Sequence, residues 1–306
     1  MSADALLSRR SPLRALAGRH KGAAIAAIVL GALALAASFA PLIAPQDAFN
    51  LASFDLLDAN LPPAWLEGSD PRFLLGTDAQ GRDLLSAILY GTRISLTVGL
   101  LAVAIAAAIG VPLGLLAGYA KGRTDTVVTR AADIQLSLST LMMAIIALAL
   151  FRTAFGGESL GRFAAPLLAV VIGLAEWPYL ARTARAATQV EAAKDYVRAA
   201  RALGASTKGI MWRHILPNIA SPLIVVATTQ IAGAVMAEAA LSFLGLGMPV
   251  TKPSLGTLIR SGYDLMFAGA WWVTVIPGLV LIGLLVSVNM LGDALRDSLD
   301  PRGSAA

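Results

Sequence analysis

Six long apolar runs separated by short polar segments constrain this chain more than any other feature of its sequence. They occupy roughly 22–44, 93–118, 131–151, 163–181, 219–245 and 271–292. The first is about 22 residues long, which at about 1.5 Å per residue gives about 33 Å, enough to cross a bilayer. A secretory signal core is shorter, about 7–15 residues, so this run is predicted to be a retained first helix. Only 14% of the residues are charged and 57% are apolar, with a mean hydropathy of +0.72. A soluble domain needs far more polar surface than that. The expectation is an all-α membrane protein of about six transmembrane helices.

Orientation follows from the basic residues, which collect in cytoplasmic loops. Arg9, Arg10, Arg14, Arg19 and Lys21 precede the first run, and Lys121, Arg123 and Arg130 lie before the third. Seven more fall between Arg182 and Arg213, and Arg296 and Arg302 follow the last run. The opposite side holds Arg72, Arg82, Arg93, Arg152, Arg162, Lys252 and Arg260, fewer than half as many. Both termini are therefore expected on the cytoplasmic side. The predicted layout is a tail at 1–21, a first span at 22–44, an outer loop at 45–92, a membrane core at 93–293 and a tail at 294–306. The net charge of +5 is explained by these loops, and no nucleic-acid partner is expected.

Several chemistries are excluded. The chain has no cysteine and two histidines, His20 and His214, far apart in sequence, so no metal site is expected. No serine–histidine–acid set can converge and no phosphate-binding glycine loop is present, so neither catalysis nor a bound cofactor is expected.

The strongest functional signal is the inner loop at 191–218, EAAKDYVRAARALGASTKGIMWRHILPN. Tyr196, Ala199, Ala200 and Leu203 share one face of a short helix. Gly204 is suited to end it in the left-handed conformation, Ser206 or Thr207 to cap a second short helix, and Pro217 to mark the entry to the next span. By itself this reads as a helix–glycine–helix hairpin, either an amphipathic linker or a docking element. Its spacing, Arg198-Ala199-Ala200, three residues, Gly204, then Leu216-Pro217, resembles the EAA loop of ABC importer permeases. Arg198 stands at the position named for glutamate and His214 where the general pattern has isoleucine. The literal Glu191-Ala192-Ala193 is out of register.

Further segments resemble one branch of that superfamily, the C-type permeases for dipeptides, oligopeptides and nickel. They are Gly76-Thr77-Asp78-Ala79-Gln80-Gly81-Arg82-Asp83, Tyr90-Gly91-Thr92-Arg93-Ile94-Ser95-Leu96, Arg213-His214-Ile215-Leu216-Pro217-Asn218 and Glu238 through Gly247. The resemblance spans about residues 22–302. It implies the type I ABC importer permease fold in a bacterial inner membrane. It also implies a second homologous permease chain, two ABC ATPase subunits that bind ATP–Mg, and an extracytoplasmic solute-binding protein, with peptides the commonest cargo. The coupling residues it implies are Arg198, Ala199, Ala200, Gly204, Ser206, His214, Leu216 and Pro217. Ser139 stands where relatives often have proline, which predicts a straighter third helix.

Three sites with acidic residues keep two readings. Glu176, beside Trp177-Pro178, either pairs structurally or lines the pore. Glu238, with Ser242 near it, either packs or lines an outer vestibule, since intramembrane carboxylates often mark substrate or ion pathways. Asp78, Arg82 and Asp83 form either a salt-bridged surface turn of small energetic weight or a contact for the binding protein. The rival function is an ion-coupled secondary carrier using Glu176 or Glu238, and a third is a non-transporting scaffold. Secondary carriers are often built from internal repeats, and none is evident here.

Overall fold

A computed structural model describes residues 21–50 and 54–299. The basic tail residues Arg9, Arg10, Arg14, Arg19 and Arg302 lie outside the described residues. The described chain is almost entirely helical.

Helix α1 (Lys21–Ser38) buries only small residues, Ala23, Ala26 and Ala37, and leaves Ile25, Ile28 and Leu35 exposed. A helix apolar all round whose large side chains face outward is suited to lipid. It packs on α10 (Trp272–Leu299) and on the helix that follows it, α2 (Leu84–Ala120).

Helix α2 starts well before the predicted boundary at 93. Asp83 caps it by accepting from Ser86 N at 2.8 Å, and its polar first turns are buried against neighbours. They carry Ser86, Thr92 and Ser95, which is why hydropathy alone missed them. Along its inner half, Gly110, Gly114 and Gly118 recur at one-turn spacing. A Cβ at these three positions would collide with the carbonyl oxygens of Trp177, Ala181 and Arg185. Two backbones thus run in direct contact, the arrangement that small residues permit between membrane helices.

The third predicted run is not one straight helix. Helices α3 (Gly122–Ser137) and α4 (Thr140–Gly156) meet at 85°. Leu138 (φ −96°, ψ 137°) and Ser139 (φ −67°, ψ 129°) are extended between them. The expectation that Ser139 straightens this span is therefore overturned. Ser139 occupies the N-cap of α4, a site that serine tolerates in extended conformation. Helix α5 (Phe163–Glu191) then runs ten residues beyond its predicted end. Arg182 and Arg185 on that extension bond to Asp133 and Asp125 of α3, so these acids pair across the fold.

The inner hairpin itself consists of α6 (Asp195–Ala202) and α7, a short helix at Thr207–Gly209 that widens into a π-helical turn over Ile210–Ile215. Helix α8 (Ala220–Phe243) is the next long apolar helix, and α9 (Leu255–Met266) packs against both α8 and α10. A capping box fixes the start of α9: Ser254 Oγ accepts from Thr257 N at 3.3 Å, and Thr257 Oγ1 accepts from Ser254 N at 2.7 Å. Among the described residues, five helices are long and apolar enough to span a membrane, six with the bent pair counted as one span.

Candidate functional site

The inner hairpin has a fixed base and an open tip. At its base, Val197, Ile210, Met211, Ile215 and Ile219 are buried in one apolar cluster with Leu115 of α2 and Leu180 and Ala184 of α5. Polar bonds reinforce it. Glu191, the last residue of α5, is buried; it accepts from Tyr196 Oη at 2.9 Å and pairs with Lys194 Nζ at 2.7 Å. Asn218 Nδ2 donates to Tyr196 Oη at 3.2 Å and to the His214 carbonyl at 2.7 Å. Burial, and then the bond to Glu191, push the Tyr196 hydroxyl above its ordinary range. Arg201 ties α6 to α2 through Tyr119 Oη at 3.0 Å.

At the tip, Gly204 has φ +81° and empty space where a Cβ would stand. Its left-handed turn lets Ala205 N reach the Ala200 carbonyl at 3.0 Å, closing α6 as a helix C-terminus does. Ser206 caps the next helix by accepting from Gly209 N at 3.2 Å. Leu203 is exposed by 88%; Arg198, Ala199, His214 and Pro217 are also exposed, and Ala200 and Leu216 are half-buried against the base cluster. An 88% exposed leucine beside a left-handed glycine needs an explanation outside this chain, because the loop makes no use of it. Glu191 was missed as a structural anchor: its motif register was wrong, and only the fold brings it under Tyr196.

On the outer side, the expected surface turn proves to be buried. Asp78, Arg82 and Asp83 are 1%, 2% and 2% exposed. Arg82 Nη2 pairs with Asp78 Oδ2 at 2.6 Å, and Arg82 Nη1 donates to the Val250 carbonyl at 2.9 Å. Trp272 is also buried, and its Nε1 donates to the Thr77 carbonyl at 3.3 Å. The loop is thus stitched to the segment before α9 and to the start of α10. Glu238 of α8 lies beneath it with no exposure. Ser95 Oγ and Ser242 Oγ each donate to its carboxylate at 2.7 Å, and Ser242 Oγ accepts in turn from Met248 N at 3.0 Å.

Glu176 is placed differently. It sits near the middle of the 29 residues of α5, half-exposed. Thr140 Oγ1, at the start of α4, donates to it at 3.2 Å, and Gln230 Nε2 from the middle of α8 lies 3.1 Å from its backbone carbonyl and 3.4 Å from its carboxylate. Pro178 does not interrupt α5, but it has no N–H for the carbonyl of Leu174. Gln135 Nε2 of α3 donates to that carbonyl at 3.4 Å instead.

The family described as the binding-protein-dependent transport system inner membrane component matches residues 110–304. The N-terminal transmembrane domain of oligopeptide transport permease C matches residues 18–63. The chain belongs to the binding-protein-dependent permease family. It is 41% identical to the dipeptide transport system permease protein DppC of Escherichia coli K12, over 93% of this chain and 90% of that one. The di/tripeptide permease of Pseudomonas aeruginosa is 40% identical over 92% and 89%, and the dipeptide permease of Haemophilus influenzae 39% identical over 93% and 92%. A chain of the MetNI methionine ABC transporter, in inward-facing form, shares the fold: its TM-score is 0.56 at 19% identity, covering 70% of this chain and 96% of that one. The protein is a permease subunit of an ABC importer in a bacterial inner membrane, a transport subunit and not an enzyme. That standing sets aside the secondary-carrier and scaffold readings.

Proposed function

We propose that this permease carries short peptides and pairs with a second permease chain, and that its 191–218 hairpin docks on one of two ABC ATPase subunits, which bind and hydrolyse ATP–Mg. Solute arrives from an extracytoplasmic binding protein, and both termini lie on the cytoplasmic side with the hairpin. The single observation that carries the coupling role is the pairing of a rigid base with an exposed Leu203–Gly204 tip. Transmission of a conformational change requires a physical element whose arrangements both partners bias. A hairpin bonded to the inner ends of α2 and α5 is such an element. Arg198, Ala199, Ala200, Ser206, His214, Leu216 and Pro217 surround the tip and form the contact area. The peptide assignment rests on the three relatives named for dipeptide or di/tripeptide transport.

The outer loop faces the binding protein through its exposed residues, while Asp78, Arg82 and Asp83 hold its shape from within. Glu238 and Ser242 brace the outer ends of α2 and α8 beneath it.

The test replaces Gly204 with Asp and, separately, Leu203 with Asp in the complete importer. Leu203 is so exposed that its replacement leaves the fold intact. Both variants are expected to insert normally and to lose ATP-driven peptide uptake together with uptake-linked ATP hydrolysis. Normal uptake by both would remove the coupling assignment.

A further inference from the structure

The broken span faces something other than lipid. Leu138 and Ser139 are extended and exposed on this chain, and bonds from the flanking Gln135 and Thr140 to Leu174 and Glu176 place them within the predicted span at 163–181 of α5, toward its inner end. Non-helical backbone at membrane depth survives only where protein covers it or water reaches it, because lipid satisfies no backbone hydrogen bond. A carboxylate at the same depth, half-exposed beside the break, has the same requirement. This side of the chain therefore borders either the second permease chain or water.

The groups gathered there are of one kind. Glu176 offers two carboxylate oxygens, Thr140 a hydroxyl oxygen, and Gln230 an amide oxygen. Gln230 is 9% exposed, and its Oε1 has no hydrogen-bond partner although its Nε2 is engaged with Glu176. Among the described residues no basic side chain pairs with Glu176. A buried acceptor without a donor is costly, and a carboxylate without a cation is costlier. Thr140 and Gln230 each give the carboxylate one hydrogen bond, and the three helices together still hold more acceptors than donors, the complement of a hydrogen-bond-donating cation.

We propose that this side borders water, and that Glu176, with Thr140 and Gln230, forms a subsite within the membrane for a primary ammonium group, the amino terminus of the peptide in transit. The inference rests on the peptide reading above. An ammonium presents three donors and one positive charge, which matches the oxygens that the cluster leaves in excess. Helices α4, α5 and α8 each supply one of the three residues, so relative movement of these helices opens or closes the subsite, giving an occupant that is held and then released.

This chain has no cysteine, so a single Ser139→Cys substitution beside the cluster is its one thiol, and labelling is read on this subunit after the subunits are separated. The complete importer carrying it is placed in nanodiscs and treated with a charged, membrane-impermeant thiol reagent. The introduced thiol is expected to react, and a free dipeptide to slow the reaction, whereas the N-acetylated dipeptide, sodium chloride and potassium chloride do not. Adding Glu176→Gln is expected to raise the half-protecting dipeptide concentration about tenfold, the factor one charge-assisted hydrogen bond contributes. An unreactive thiol overturns the aqueous placement. Equal protection by the acetylated peptide, or unchanged protection with Glu176→Gln, overturns the ammonium subsite. Protection by sodium or potassium alone assigns the cluster to an inorganic cation and overturns it too. Uptake of labelled dipeptide by the unmutated importer in liposomes separates the two readings: if there is none, the peptide assignment fails, and if uptake proceeds without amino-terminus-specific protection, only the subsite fails.

Discussion

The layer around Glu238 and the broken-span face around Glu176 are built on opposite plans. Glu238 is enclosed, with both carboxylate oxygens bonded to serine hydroxyls and the buried Asp78–Arg82 pair nearby in the overlying loop. Glu176 is half-exposed beside an 85° break, next to an amide oxygen with no partner. Both are single glutamates in apolar helices, so the difference lies entirely in what surrounds them. One region is satisfied within the chain and serves as a fixed frame. The other is incomplete, and incompleteness at membrane depth implies an occupant or a neighbour.

Four measurements test this contrast, each on the purified protein in nanodiscs by thermal unfolding and limited proteolysis. The largest effect is expected for Arg82→Ala, which strands the buried Asp78 carboxylate; breaking such a pair costs about 3–5 kcal/mol and should open the outer loop to protease. A variant as stable as the parent would show that the frame does not depend on that pair. Next comes Gly114→Val, which forces side-chain atoms against the α5 backbone. Overpacking of this kind costs about 1–3 kcal/mol, and a silent result would mean that α2 and α5 separate readily. Glu238→Leu leaves the Ser95 and Ser242 hydroxyls without their acceptor, at about 1–3 kcal/mol. Smallest is Glu176→Gln, which keeps an oxygen for Thr140 and should shift stability by less than about 1 kcal/mol. If this variant unfolds as early as Glu238→Leu, Glu176 belongs to the frame and the contrast disappears.

The coupling hairpin shows how far local sequence carries an argument. Gly204, Ser206 and Pro217 punctuate the chain through properties of single residues, namely a tolerated left-handed turn, a side-chain cap and a missing N–H, and all three were legible. The burial of Val197 and the role of Glu191 were not, because they depend on α2 and on the end of α5. The same holds outside the membrane. The Gly-Thr-Asp turn could be read from its composition, but the burial of Asp78 and Arg82 could not, since the covering Val250 is 168 residues away from Arg82.

By itself the sequence determined that this chain spans a membrane about six times, that its inner loop is a helix–glycine–helix hairpin, and which permease family it resembles. Those conclusions rest on hydropathy, on single-residue backbone preferences and on motif order, all properties of consecutive residues. Only the tertiary structure decided that the third span breaks at Leu138–Ser139, that Gly110, Gly114 and Gly118 bring two backbones together, and that of two similar glutamates one is enclosed and the other left open. Each of those outcomes depends on which distant groups supply hydrogen bonds and fill space, and residue order does not specify those partners until the helices have packed.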